Sequence, residues 1–177
     1  MRAEPEPVPS EPIQVSRLDS MIRRLMVQRA SLDWAMGEVA RLTGPVLEFG
    51  LGNGRSYDHL REHLPNRDIF VFERSVQAHP DCIPPEDRLI LGDFRDTAPA
   101  AAERFAGKAA LIHADVGSGD VAASRALAAT LSPHWAAMLA EGGLLVADQP
   151  IAADGLDPLP LPEGSPGRYF ICRRASS

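Results

Sequence analysis

Five acidic side chains recur at one kind of place: Glu48, Glu73, Asp93, Asp115 and Asp148 each lie at or beside the end of a short apolar run. Ionised carboxylates only accept hydrogen bonds, so a convergent set of them suits a ligand rich in hydroxyls, amines or positive charge. The first stands in "VLEFGLGNGRS", ahead of the alternate glycines Gly50, Gly52 and Gly54, where backbone can approach a ligand with no Cβ in the way. A dinucleotide loop would need its third glycine where Arg55 stands, and no Gly-Lys-Ser/Thr phosphate loop occurs. The pattern points instead to a nucleoside without phosphate. Glu73 can accept both hydroxyls of a ribose, Asp93 can accept from an adenine amine with Phe94 to cover the ring, and Glu48 adds negative potential beside a cation. Each has a plainer alternative, as a shaped turn, a helix cap or a solvated strand end.

Parallel strands must hold these acids. From Pro45 onward "PVLEFG", "DIFVFE", "RLILGD", "AALIHAD" and "GGLLVAD" alternate with helical stretches at 56–64, 98–106 and 121–139, the signal of strands joined by crossover helices. Their near-continuous apolarity fits strands covered on both faces. The carboxyl ends of such strands form the ligand crevice of an open parallel sheet, so the acids should converge there. Pro133 should kink or restart the last helix. After the fifth strand, "IAADGLDPLPLPEGSPG" leaves little room for a helix and hairpin before a final strand at 169–173. Ahead of the strands, Leu18, Met21, Ile22, Leu25 and Met26 form the stripe of an amphipathic helix with Arg23 and Arg24 on its wet face. A second helix should start at Ser31 as N-cap, turn Met36 and Val39 inward and stop before Thr43. Residues 1–14 alternate Pro and Glu too often to pack and read as a disordered tail, leaving 15–177 as a single domain.

Together these segments resemble the class I S-adenosylmethionine-dependent methyltransferases. "EFGLGNG" matches their acidic glycine loop, "FVFE" the strand ending in the ribose-binding acid, "LILGDF" the adenine-contacting corner and "LIHAD" the fourth strand. The likeness covers roughly residue 44 to the C-terminus and extends to a small bacterial methyltransferase family of about this length. It implies an α/β fold with a doubly wound, mostly parallel sheet, an antiparallel C-terminal strand and two N-terminal helices, Rossmann-like in arrangement. It implies S-adenosyl-L-methionine as cofactor, bound by Glu48, Gly50, Gly52, Gly54, Glu73, Asp93, Phe94 and Asp115. Asp115 would also lie near the transferred methyl, as the candidate catalytic residue.

Methyl transfer from a sulfonium needs alignment and exclusion of water, and an acid or base only if the acceptor must lose a proton. "ADVGSG" stands where many amino-methylating relatives carry Asn/Asp-Pro-Pro-aromatic, which lowers nucleic-acid and glutamine N-methylation and favours O-methylation of a small-molecule acceptor. Asp115, Asp148 and Gln149 raise a Mg²⁺ site of the kind that the resemblance to metal-dependent O-methyltransferases implies, though the longer Gln side chain argues against it and no metal is expected. The short segment after the fifth strand means that the N-terminal helices, that loop or a second subunit of a homo-oligomer must wall the substrate site. It also leaves open a cofactor-binding protein that no longer transfers methyl groups; an NAD(P)-dependent reductase is disfavoured by Arg55. His113, inside an apolar strand, reads as a hydrogen-bonded core residue, and His134 and Trp135 as cover for the sheet.

Size and charge agree with a small-ligand protein. A chain of 177 residues with 45% apolar content makes one domain, and a formal net charge of -6 argues against gripping nucleic acid over a broad surface. Cys82 and Cys172 are too few for a disulfide framework and read as free thiols in a reducing compartment. With neither a secretory leader nor a bilayer-spanning apolar run, the chain is expected in the cytoplasm.

Overall fold

The computed structural model describes residues 15–165 and 167–176; the proline-rich tail of 1–14 lies outside them. Seven strands form one sheet in the order β3-β2-β1-β4-β5-β7-β6. β1 (Val46–Phe49), β2 (Ile69–Glu73), β3 (Leu89–Leu91), β4 (Ala109–Ala114) and β5 (Leu139–Ala147) pair in parallel. β7 (Phe170–Arg174) runs antiparallel to β5 and to β6 (Leu156–Leu159). Strand order reverses between β1 and β4, and such a switch point opens a crevice at the carboxyl ends of the strands.

Period-2 alternation sends successive side chains to opposite faces, and both faces are covered. Leu47, Phe49, Phe72, Ile112 and Leu145 pack under α3 (Phe94–Arg104) and α4 (Val121–Met138) with Ala98, Ala128, Leu131 and Trp135. Val46, Val71, Leu111, Leu144 and Val146 pack under α1 (Arg17–Glu38) and α2 (Arg55–His63) with Val27, Leu32, Ala35, Tyr57 and Leu60. The apolar strands therefore have the two-sided burial that their composition predicts. Among the described residues, no helix is long and apolar enough to cross a membrane. Cys82 and Cys172 are free thiols.

The N-terminal segment departs from the expected pair of helices. One helix, α1, runs from its Ser16 cap to Glu38, and Ser31 is fully buried within it rather than capping a second. Nothing breaks the run between Met26 and Met36, which holds no glycine or proline, and a single Ser does not end a helix that tertiary packing supports. The buried stripe is also displaced: it comprises Val27, Gln28, Ser31, Leu32, Ala35 and Met36, while Leu18, Met21, Ile22 and Met26 stay exposed. The first three turns thus extend past the sheet, over the crevice.

Three further boundaries differ. α3 starts at Phe94 rather than 98 because Asp93 caps it, its Oδ1 accepting from Arg95 N at 2.9 Å. α4 continues past Pro133 to Met138 without a break, and the preceding Ser132 hydroxyl donates to the Ala128 carbonyl at 2.7 Å. The short segment after β5 does contain a hairpin partner, β6. Pro158 obscured it in the sequence, and its missing N–H is tolerated because β6 is the edge strand.

Candidate active site

A cavity of about 600 Å³ opens at the carboxyl ends of β1 to β4, and Gly50, Gly52, Glu73, Asp93, Phe94 and Asp115 all line it. Six of the eight residues expected around a nucleoside therefore meet in one place. The three glycines of the loop after β1 do different work. A Cβ on Gly50, at φ +96°, would come within 2.2 Å of the Asp115 carbonyl oxygen, so this glycine lets β1 and the end of β4 approach. A Cβ on Gly54, the N-cap of α2, would meet the Cys82 Cβ at 2.4 Å, so it serves packing behind the loop and does not line the cavity. Only Gly52 faces open space, and it lies on the cavity wall.

Glu73 is the most firmly aimed acid. Its Oε2 accepts from the amides of Leu51 at 2.8 Å and Gly52 at 3.3 Å, and its Oε1 from those of Arg74 at 2.7 Å and Ser75 at 3.0 Å. The carboxylate is thus tied to the glycine loop on one side and to its own strand end on the other. Phe94, the first residue of α3, meets Phe49 edge-on at 6.0 Å and presents an aromatic wall beside Asp93. Asp93 combines both of its expected roles, since it caps α3 and lines the cavity.

Asp115 follows the end of β4 and is gripped by α1. Arg24 donates to both carboxylate oxygens at 2.6 Å, and Gln28, one turn further on, donates to Oδ2 at 3.0 Å. Burial opposes the charge of Arg24, but attraction to Asp115, the hydrogen bond to it and the nearby Tyr169 and Asp148 together outweigh it and raise the guanidinium pKa. Behind Asp115 runs a buried polar chain that sequence reasoning did not find. Gln28 also donates to the Tyr169 hydroxyl at 3.2 Å, and that hydroxyl lies 2.8 Å from His113 Nε2. On the other side of the ring, His113 Nδ1 lies 3.4 Å from Glu48 Oε1, which also accepts from the Ser56 hydroxyl. Burial lowers the His113 pKa, but Glu48 and then Asp115 and Asp148 more than offset it, so the net shift is upward. Tyr169 is held far above its ordinary value, first by burial and then by the Asp115 charge.

This chain corrects the expectation for Glu48. The side chain is wholly buried beneath the glycine loop and faces Ser56 and His113, so it does not line the cavity. Its position in β1 puts it on the α1/α2 side of the sheet, alternate with Leu47 and Phe49. Arg24 was expected on a wet face, and Gln28 carried no expectation. The one available signal was their i, i+4 spacing on a helix that precedes the glycine loop.

Asp148 follows the end of β5 and closes the far side of the site. Its Oδ1 accepts from Val116 N at 3.1 Å, and its Oδ2 from Gly117 N and Gln149 Nε2, each at 3.0 Å. Burial raises the Asp148 pKa, as does the charge of Asp115, with the hydrogen bonds opposing. The residues do not fit the considered Mg²⁺ site. Arg24 holds a positive charge on Asp115 where a cation would sit, both Asp148 oxygens are turned to amides, and Gln149 presents a donor toward Asp148.

A sequence profile of the S-adenosyl-L-methionine methyltransferase family matches residues 15–174, nearly the whole described chain. The chain belongs to this family. The methyltransferase is also similar, at 50% identity and a TM-score of 0.87, to the crystal structure of an S-adenosyl-L-methionine methyl transferase from Silicibacter pomeroyi DSS-3. That likeness covers 92% of this chain and 100% of the other. S-adenosyl-L-methionine is accordingly its cofactor. More distant solved structures share the fold alone. One is the 1,6-didemethyltoxoflavin-N1-methyltransferase of Burkholderia thailandensis, at 13% identity and a TM-score of 0.53, with 96% of this chain and 94% of that one covered. Another is the 16S rRNA (adenine(1408)-N(1))-methyltransferase of Catenulisporales acidiphilia, at 14% identity and 0.51, covering 81% and 91%. No curated protein sequence matches the methyltransferase.

Proposed function

We propose that this methyltransferase binds S-adenosyl-L-methionine in the cavity at the ends of β1 to β4 and methylates an oxygen of a small-molecule acceptor. The observation that carries the reading is a second cavity, about 540 Å³, which meets the first at Gly117 and is lined by Asp148 and Gln149. When bound, the cofactor supplies an electrophilic methyl group whose transfer leaves a neutral thioether. Glu73 would take the ribose hydroxyls, held for that purpose by four backbone amides. Asp93 and Phe94 would take the adenine edge and face. Gly52 gives the ligand access to backbone, and a third, smaller cavity between Gly52, Arg55, Arg24 and Gln28 fits a carboxylate tail against the Arg55 guanidinium, Arg24 being paired with Asp115.

Asp115 would mark the boundary between donor and acceptor. Because the Arg24 guanidinium pairs with both of its oxygens, it orients α1 over the boundary and is not the proton acceptor, whereas the donors on Asp148 are neutral amides. Asp148 suits that task better. It lines the acceptor cavity, and burial with the nearby Asp115 charge makes it more basic than an ordinary carboxylate. The acceptor hydroxyl would lose its proton to Asp148 as its oxygen gains the methyl. α1 reaches over this boundary and contributes Met21 and Arg24 to the wall of the acceptor cavity.

The experiment is fractionation. Protein given methyl-labelled cofactor and a cell extract should place label in the low-molecular-mass fraction, in a product whose methyl is on oxygen. Label confined to RNA or protein would contradict the small-molecule reading.

A further inference from the structure

The acceptor cavity has a chemical character of its own. Arg125 of α4 and Arg168, two residues before β7, both line it, and neither forms an ion pair within the described residues. Arg24, on the same wall, is already committed to Asp115. Two cationic forks with no carboxylate partner among the described residues therefore line a space bounded by Asp148 on the donor side. Arginine presents planar paired donors that match a carboxylate or phosphate, and hydrogen bonds to such anions are among the stronger ones.

Beside Ser124 and Gln149, the rest of the wall is largely apolar and incompletely covered. Met21 of α1 and Val121 at the start of α4 line the cavity while 48% and 64% exposed. Phe170 is on the same wall, with the Arg168 guanidinium 5.7 Å from its ring centre. Large apolar side chains left open beside unpaired arginines fit a ligand with an apolar body and an anionic end.

We infer that the methyl acceptor is an anionic small molecule with an apolar or aromatic body, its charged group held by Arg125 and Arg168 and its body packed on Met21, Val121 and Phe170. This rests on the small-molecule reading above and names the class of molecule for the same site. With the charged group on the arginines, the hydroxyl to be methylated is left to face Asp148 on the wall of the same cavity. The donor cavity is lined by Glu73, Asp93 and Asp115 together with Arg74 and Arg95, whereas the acceptor cavity is lined by Arg24, Arg125 and Arg168 with Asp148 as its acid, so the acceptor cavity is the more cationic of the two.

The test uses benzoate and phenyl phosphate as probes and benzamide as the neutral control, followed by saturation-transfer NMR on protein loaded with S-adenosylhomocysteine. The two anions should bind about tenfold more tightly than benzamide, the worth of one hydrogen bond to a charged group. Replacing both Arg125→Ala and Arg168→Ala should abolish that preference and leave S-adenosylhomocysteine affinity within about twofold of native by calorimetry. Both residues are exposed, so the substitutions leave the core intact. Equal binding of benzamide and benzoate, or an anion preference that survives the double substitution, overturns the inference. Failure of the small-molecule reading is separately visible, because the fractionation would then put the label in RNA or protein whatever these probes do.

Discussion

On the proposed mechanism, Asp148 sets the pH behaviour of the reaction. Burial and the neighbouring Asp115 raise its pKa, so the carboxylate form is lost on acidification earlier than at an ordinary aspartate. Methyl transfer at saturating cofactor and acceptor should therefore rise with pH through a midpoint above the ordinary carboxylate value of about 4. In Asp148→Asn that limb should vanish and leave a slow, flat profile; an unchanged limb in the variant would remove Asp148 from the proton path. Gly50 makes a different prediction at the same scale. Gly50→Ala drives a Cβ to 2.2 Å from the Asp115 carbonyl at a left-handed φ, and should cost ~3 kcal/mol in chemical denaturation. Gly52→Ala, with open space around its Cβ, should cost only its φ strain of ~1 kcal/mol, so the two alanines should differ clearly in midpoint.

Helix α1 acts as an arm whose second half is anchored and whose first half reaches over the active-site boundary. Val27, Leu32, Ala35 and Met36 hold the anchored half in the core, whereas Arg24 and Gln28 tie the outer half to Asp115. Arg24→Ala with Gln28→Ala should speed amide hydrogen exchange over 17–26 while leaving 31–38 protected, a pattern that exchange mass spectrometry reads directly. This element also shows what a sequence conceals. The five parallel strands could be read because they are short apolar runs, and their acids and glycines because those residues stand at run ends. The grip of Arg24 on Asp115 spans 91 positions and has no local signature. Apolar spacing alone assigned Leu18, Met21 and Ile22 to a core, because a helix that overhangs a cavity carries the same period as one that packs on a sheet. β6 was hidden for the opposite reason, since Pro158 belongs to the edge, where strands tolerate it.

Across the whole molecule, the buried chain from Ser56 through Glu48, His113, Tyr169 and Gln28 to Asp115 links both ends of the sequence to the centre of the sheet. The His113 pKa is higher in the fold than when unfolded, so its stabilising contribution is complete below its ordinary value of about 6.5 and is lost as pH rises through the folded value. Thermal stability should fall over that alkaline window, and His113→Gln should flatten this part of the profile even though it lowers stability overall. The network accounts for Glu48 as well. The expected ligand acid proved to be an internal one, since alternation along β1 turns it toward α1 and α2, and nothing in the sequence marks which face of a two-sided buried sheet borders the crevice.

Binding of S-adenosyl-L-methionine is proposed to centre on Glu73 and the glycine loop. Calorimetric titration with S-adenosylhomocysteine tests it most directly. The native protein should bind one equivalent, and Glu73→Gln, which keeps the shape but loses the charge, should bind at least about tenfold more weakly. Undiminished affinity in that variant, or no binding to the native protein, would contradict the assignment.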